Sequence, residues 1–384
     1  MKTPSHPQQI STSIKVFGFR FRNQTAYSTF SVTVRAVTIA ASFFLFLTEP
    51  SRAQFAYVAN ADSGNISAYS IDSNGSLTPV PGSPFAAGIE PFSVSVDFMA
   101  RFVYATNFSG NNVSAYRIGS NGALTPVSGS PFETGIAPIS IAVDPMARFV
   151  YVANSGDNNV SAYAIASNGA LIPVPGAPFS AGFAPVSVAV DSMARFAYVA
   201  NKISNNVSAY RIGANGSLTP VPGSPFAAGI GAHSMAVDSA ARFAYVVNEF
   251  GDSISGYRID SSGALAPIPG SPFRAGRDPI QVAVDPTARF VYVANRVSNN
   301  VSAYSIGSDG VLTPVPGSPF VGADQPVSVA VDPTARFAYT LNRVSNNVSA
   351  YRIGSNGALT PVPGSAFAAG IEPISVVVTR SVLK

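Results

Sequence analysis

One segment is written seven times in this chain, and that repetition limits the fold more than any other feature. The copies begin at Phe55, Phe102, Phe149, Phe196, Phe243, Phe290 and Phe337, a constant step of 47 residues (102 − 55 = 47). One copy reads FAYVANKISNNVSAYRIGANGSLTPVPGSPFAAGIGAHSMAVDSAAR. Such a period marks stacked or circular architectures, in which each unit buries its apolar face against the next.

Each copy holds four strand signals and no helical period. The apolar PVSVAV suits an inner strand covered on both faces. FAYVAN and the alternating NVSAYRI follow as second and third strands. LTPVPGSPF is rich in Pro, which an edge strand tolerates and a central strand does not, so it belongs at the rim. The reading is all-β: a seven-bladed β-propeller with four antiparallel strands per blade. The copies start on a second strand and end on an inner one. Pro373 to Val378 should therefore join the sheet begun at Phe55 and close the ring by pairing the chain's two ends. An open solenoid would want polar capping repeats, and none is present.

Residues 1–54 read as a targeting segment and 55–384 as the propeller. A basic, polar stretch ends at Arg35, an apolar run spans Val37 to Leu47, and Ser51 and Ala53 stand before an expected cleavage after Ala53. That run is too short to span a bilayer, which takes ~20 residues; an uncleaved anchor is the alternative. The expected location is secreted, periplasmic or in the cell envelope, with no membrane span in the mature chain. The leader also owns the basic charge. It holds six of the 23 Lys and Arg and one of the 19 Asp and Glu, leaving 17 against 18 in residues 55–384. Nothing there resembles the basic stripe of a nucleic-acid binder. The absence of Cys and Trp removes disulfides, thiolate metal sites, cysteine nucleophiles and a quinone stacked on Trp. No cofactor and no metal site is expected, and a monomer is.

Seven copies in one chain serve as their own comparison. The Asp-x-x-Ala-Arg turns hardly vary, and pairs such as Asp144 with Arg148 read as turn-fixing. Variation in charge gathers at the opposite end of the ring. The residue after the shared Asn is Ala61, Phe108, Ser155, Lys202, Glu249, Arg296 or Arg343, and the loops entering the inner strands carry Arg277 and Asp278. Loops on a rigid scaffold are where binding sites gather, so this end is the candidate functional face.

His233 is the sharpest departure. Its equivalents are Phe92, Ile139, Val186, Ile280, Val327 and Ile374, and Ala232 before it replaces a Pro found in the other six copies. An imidazole at a channel mouth suits general-base work. In an apolar column it equally suits a hydrogen-bonded core role, and strand alternation puts it on the side of Met235 and Val237. Gly251-Asp252-Ser253-Ile254-Ser255 mimics a serine-hydrolase motif, but no His follows to complete a triad. The NNVS strings are formal glycosylation sequons. An oxygen-ligand calcium site near Asp62 or Asp157 is a weak signal.

The YVAN…NNVSAY units resemble the YVTN propeller repeat. The longer string GALTPVSGSPFETGIAPISIAVDPMARFVYVANSGDNNVSAY resembles the lactonase-type seven-bladed propellers, the 6-phosphogluconolactonase-like family. The resemblance covers all seven copies. AHSMAVDSAARFAYVVNEF and YVANRVSNNV match the family pattern and imply that His233 or Glu249 activates water. They imply that Arg296, with Lys202 and Arg343, holds the substrate anion and developing oxyanion. Two positions depart from the pattern: Ala232 stands where the family has Arg, and Val186 where it has an earlier His.

Two classes of function follow. One is a binding propeller that takes a sugar lactone, carbohydrate or protein on its charged face, with residual catalysis at most; export, near-identical blades and sparse catalytic chemistry favour it. The alternative is a lactone hydrolase using His233, Glu249 and Arg296, with Lys202, Arg343, Arg277 and Asp278 as ligand contacts.

Overall fold

The computed structural model describes residues 54–322 and 324–380, and the leader lies outside them. The described chain forms seven small antiparallel sheets and no helix. In one blade, Pro138–Val143 is the inner strand, Phe149–Asn154 the second and Asn159–Ile165 the third. Tyr57 and its six equivalents are wholly buried. Every second-strand residue is buried, as a strand sandwiched between neighbouring blades must be.

The rim departs from the expectation of one Pro-rich strand. LIPVPGAPF divides into two short pieces, Leu171–Pro173 and Phe179–Ser180, both paired to the third strand. The cause is local. Pro175 has no N–H to give a ladder, and Gly176 turns the chain at φ 86°, a left-handed conformation that favours glycine. The same break recurs in every blade, leaving edges too short to template pairing with another chain.

The ring closes as expected. Pro373–Val378 pairs antiparallel with Gln54–Asn60, with Tyr57 opposite Val377. Thr379 stands where the other blades carry the turn aspartate. Its Oγ1 accepts the Phe55 N–H at 2.9 Å, as Asp191 Oδ1 accepts the Phe196 N–H at 2.9 Å. The tyrosines bridge the blades. Tyr57 Oη donates to the Gly122 carbonyl at 2.9 Å, and Tyr339 reaches Gly75 across the closure at 3.1 Å. Burial without nearby cations pushes the Tyr57 phenol well above its ordinary value, so it stays a neutral donor.

The turns beneath are pinned by their aspartates. Asp191 is fully buried; it accepts the Arg195 and Phe196 N–H groups and the Arg195 Nε at 3.1 Å. Replacing Asp191 by Ala should lower unfolding stability by roughly 3 kcal/mol, since charged hydrogen bonds contribute ~1.5–3 kcal/mol each and donors are left unmet. Urea unfolding checks it. A loss inside the ~0.5 kcal/mol expected of a neutral surface change would contradict the pinning role.

Candidate functional site

The face opposite those turns is built by a repeated loop clasp. The residue after each shared Asn gives its N–H to the carbonyl of the residue that precedes the inner strand: Lys202 to Ala184 at 2.9 Å, Glu249 to Gly231 at 2.8 Å, Arg296 to Asp278 at 2.9 Å. The clasp holds the variable charged residues at the channel mouth. Identical backbone with different side chains is how near-identical blades make one asymmetric site.

A bulge decides where His233 lies. The pairing of Ala232–Val237 with Phe243–Asn248 slips between Ala232 and Ser234, so His233 is an extra residue with no partner across the ladder. A bulge re-aims a side chain, and strand alternation no longer governs it. All seven residues of the His233 column line one cavity of about 150 Å³ at the channel mouth, together with Arg296 and Arg343. His233 keeps 20% side-chain exposure and is not lost in the core between blades.

Three charges and the imidazole meet beside that cavity. Glu249 is 5% exposed, with Lys202 Nζ 2.5 Å from Oε2, Arg296 Nη2 3.5 Å from Oε1 and His233 Nε2 3.7 Å from Oε2. Two cations make a buried carboxylate tolerable. Glu249 Oε2 nevertheless has no aligned hydrogen-bond donor and is closed to solvent, so Lys202 acts on it chiefly as a charge. The placement has a local cause. A Cβ on Gly231 would come within 2.8 Å of the Phe250 ring. Its absence lets Phe250 lie there, and Lys202 Nζ sits over that ring at 5.0 Å, the cation–π contact that aims it at Glu249.

His233 has a fixed tautomer. Its Nδ1 lies 2.8 Å from the Ile280 carbonyl, which can only accept, so Nδ1 carries the proton and neutral Nε2 presents a lone pair. Burial pushes its pKa below the ordinary 6.5; the Glu249 carboxylate pulls it up, and Lys202 pushes it down. The ring is neutral near pH 7.

Other sequence candidates fall around this centre. Asp278 Oδ2 accepts Arg296 Nε at 2.8 Å and so braces Arg296 from behind. Arg343 lines the cavity but pairs with Glu372. Arg277 is exposed and lines a neighbouring hollow that it shares with Glu249, Arg296, Phe250 and Asp278, and it is not among the residues that line the His233 cavity. The fold does not bring it to His233. Among the described residues no group of three His, Cys, Asp or Glu could hold a metal. Gln281 also lines the cavity, and the sequence reading passed it over. Its signal is that Ser stands at this position in the other six blades.

Fold and site together define a seven-bladed propeller with a His–Glu–Arg–Lys centre at one channel mouth. The family model "Lactonase, 7-bladed beta-propeller" matches residues 5–221 and 207–378, and the chain belongs to that family. No curated protein matches it. Among solved structures, a candidate 6-phosphogluconolactonase from Bacteroides fragilis is 18% identical, with TM-score 0.75 over 86% of this chain and 98% of that one. One from Bacteroides uniformis is 16% identical, with TM-score 0.76 over 85% and 99%. A periplasmic gluconolactonase from Pseudomonas aeruginosa is 17% identical, with TM-score 0.73 over 86% and 99%. At these identities the likeness is one of fold.

His6 is the chain's other His, so the His233 titration is the one lost in His233→Ala. Its NMR midpoint should fall below 6.5, and Glu249→Gln should lower it further by removing the larger of the two contacts, Glu249 and the Ile280 carbonyl, that favour the charged ring. A folded-state pKa below the unfolded value stabilises fully above that unfolded value and loses ground as pH falls beneath it. Stability should therefore decline below about pH 6.5, where an unfolded His charges freely. A midpoint at or above 6.5 would contradict the buried, neutral assignment.

Proposed function

We propose that this protein hydrolyses neutral, sugar-type lactones at the His233 channel mouth. The observation that carries this is convergence. Three residues from consecutive blades, Lys202, Glu249 and Arg296, meet beside His233, and His233 and Arg296 line one cavity, where dispersal around the rim would have favoured pure binding.

The geometry supports a water-activating pair. His233 Nε2 and Glu249 Oε2 are both acceptors and stand 3.7 Å apart. Glu249 Oε2 is closed to solvent, so a water gives its hydrogen to Nε2 alone while the carboxylate steadies the charge that forms on the ring, and the water keeps its oxygen lone pairs for the lactone carbonyl carbon. As the O–C bond forms, one water proton passes to Nε2, and the carbonyl oxygen gains charge facing Arg296. The ring C–O bond then breaks, and the imidazolium returns its proton to the leaving alkoxide. The product is the open hydroxy acid, which ionises.

Charge balance supports a neutral substrate. Lys202, Arg296 and Arg343 are answered by Glu249, Asp278 and Glu372. A phosphate dianion would meet no net positive field there. The cavity is also small against the ~300–1,000 Å³ of drug-sized sites, which suits a monosaccharide. The leader favours an exported protein, and outside the cytoplasm unphosphorylated lactones are the ones at hand.

A second reading rests on a different observation. Ile89, Ile136, Phe183, Ile230 and Ile371 stand exposed around the same face, as docking residues for a carbohydrate or protein would.

Lactone hydrolysis by the purified chain, followed over plain and phosphorylated sugar lactones, separates the two. The expected result is turnover of the plain lactones above the spontaneous rate, falling about 10²–10⁴-fold in His233→Ala, the usual contribution of a positioned base. No turnover by folded protein would sink the hydrolase reading and leave the binding one.

A further inference from the structure

The channel wall carries one hydrogen bond per blade. A side-chain oxygen on each inner strand accepts a backbone N–H from the next inner strand. Ser93 accepts from Ile141 at 3.3 Å, Ser140 from Val188 at 3.1 Å and Ser187 from Met235 at 3.1 Å. Ser234 accepts from Val282 at 3.4 Å, Ser328 from Val376 at 3.3 Å and Ser375 from Val94 at 3.2 Å. One station differs. Gln281 Oε1 accepts the Val329 N–H at 2.8 Å, the shortest bond in the ring.

Serine serves this structural task at every other station, so the ring alone does not call for glutamine. What glutamine adds is a second polar end. The bond to Val329 fixes the amide, because an N–H needs an oxygen opposite it; the nitrogen is therefore Nε2, on the other arm. Its two N–H groups have no partner among the described residues. Gln281 lines the same cavity as His233 and Arg296. It also follows Ile280, whose carbonyl receives the His233 Nδ1 proton. The one station that departs from serine thus adjoins the one imidazole.

Resting on the lactone-hydrolase reading, we propose that Gln281 is a further catalytic residue. Its Nε2 donates to the carbonyl oxygen of the lactone and follows that oxygen as it turns negative. Oε1, held by the neighbouring blade, keeps the amide preorganised, so little reorganisation is needed when the charge forms. Arg296 is already engaged by Glu249 and Asp278. Beside Arg296, a neutral donor supplies a second oxyanion contact without upsetting the charge balance of the mouth.

The decisive variant is Gln281→Ser, which restores the residue the other six blades use and should leave the thermal midpoint unchanged. Its kcat should fall about 10²–10³-fold, the cost of losing one oxyanion donor, with KM little altered. Gln281→Glu, which keeps the acceptor and adds a negative charge, should fall further. In parallel, the Gln281 side-chain amide resonance, assigned by its disappearance in Gln281→Ser, should shift when gluconate is titrated into the whole protein. Wild-type turnover with Gln281→Ser unchanged in kcat and KM would overturn the assignment and leave the hydrolase reading standing. No wild-type turnover would remove the hydrolase reading itself. A shifting amide would then keep Gln281 as a ligand contact, and a still one would remove it too.

Discussion

Everything in this molecule depends on how one blade bonds to the next. Two contacts recur at all seven interfaces and a third at six of them, at three radii. Near the axis a side-chain oxygen, Ser in six blades and Gln281 in one, accepts an N–H from the next inner strand. At mid-radius a buried tyrosine reaches a glycine carbonyl, as Tyr151 does Gly216 at 3.0 Å. Toward the rim a second tyrosine reaches back to the previous blade, as Tyr116 does the Ala86 carbonyl at 2.7 Å. These bonds are buried or partly buried, so each is costly to leave unmade. The fold is therefore held as a circle of nearest-neighbour terms, and the pairing of the first and last strands turns an array into a ring with no free end.

A rigid ring of like blades gives a site only where the likeness breaks. The breaks here are clustered. Lys202, Glu249 and Arg296 occupy one loop position in three consecutive blades, and His233 and Gln281 occupy inner-strand positions among the same three. Gly231 makes room for Phe250, Phe250 seats Lys202, and Lys202 with Arg296 stabilises a buried Glu249 carboxylate. That carboxylate in turn offsets part of the burial penalty on His233. At the opposite end of the ring the six turn aspartates stay buried, and the seventh position is Thr379 at the closure.

Much of this was legible before any coordinates, because the chain contains its own comparison. Seven copies exposed the blade period, the closure through Pro373 to Val378, the turn-fixing aspartates and the odd residues His233, Glu249 and Arg296. Three things were not legible. The direction of His233 depended on a bulge that alternation cannot foresee. The rim strand was read as continuous, although Pro175 and Gly176 divide it. Gln281 was overlooked because its strand was read as an apolar wall; only the inter-blade bond to Val329 reveals that its column carries polar work. Arg277 and Arg343 were equally plausible as charges; the structure pairs Arg343 with Glu372 and leaves Arg277 out of the lining of the His233 cavity.

The account's central claim is that the mouth of blades with Lys202, Glu249 and Arg296 is where the substrate sits. A crystal structure of the protein soaked with gluconate, the product expected from gluconolactone, tests it most directly. The account predicts density in the cavity, with the carboxylate within hydrogen-bond distance of Arg296 or Gln281 and near His233 Nε2. Clear density for the ligand elsewhere on the ring, with this cavity holding only solvent at saturating concentration, would contradict it.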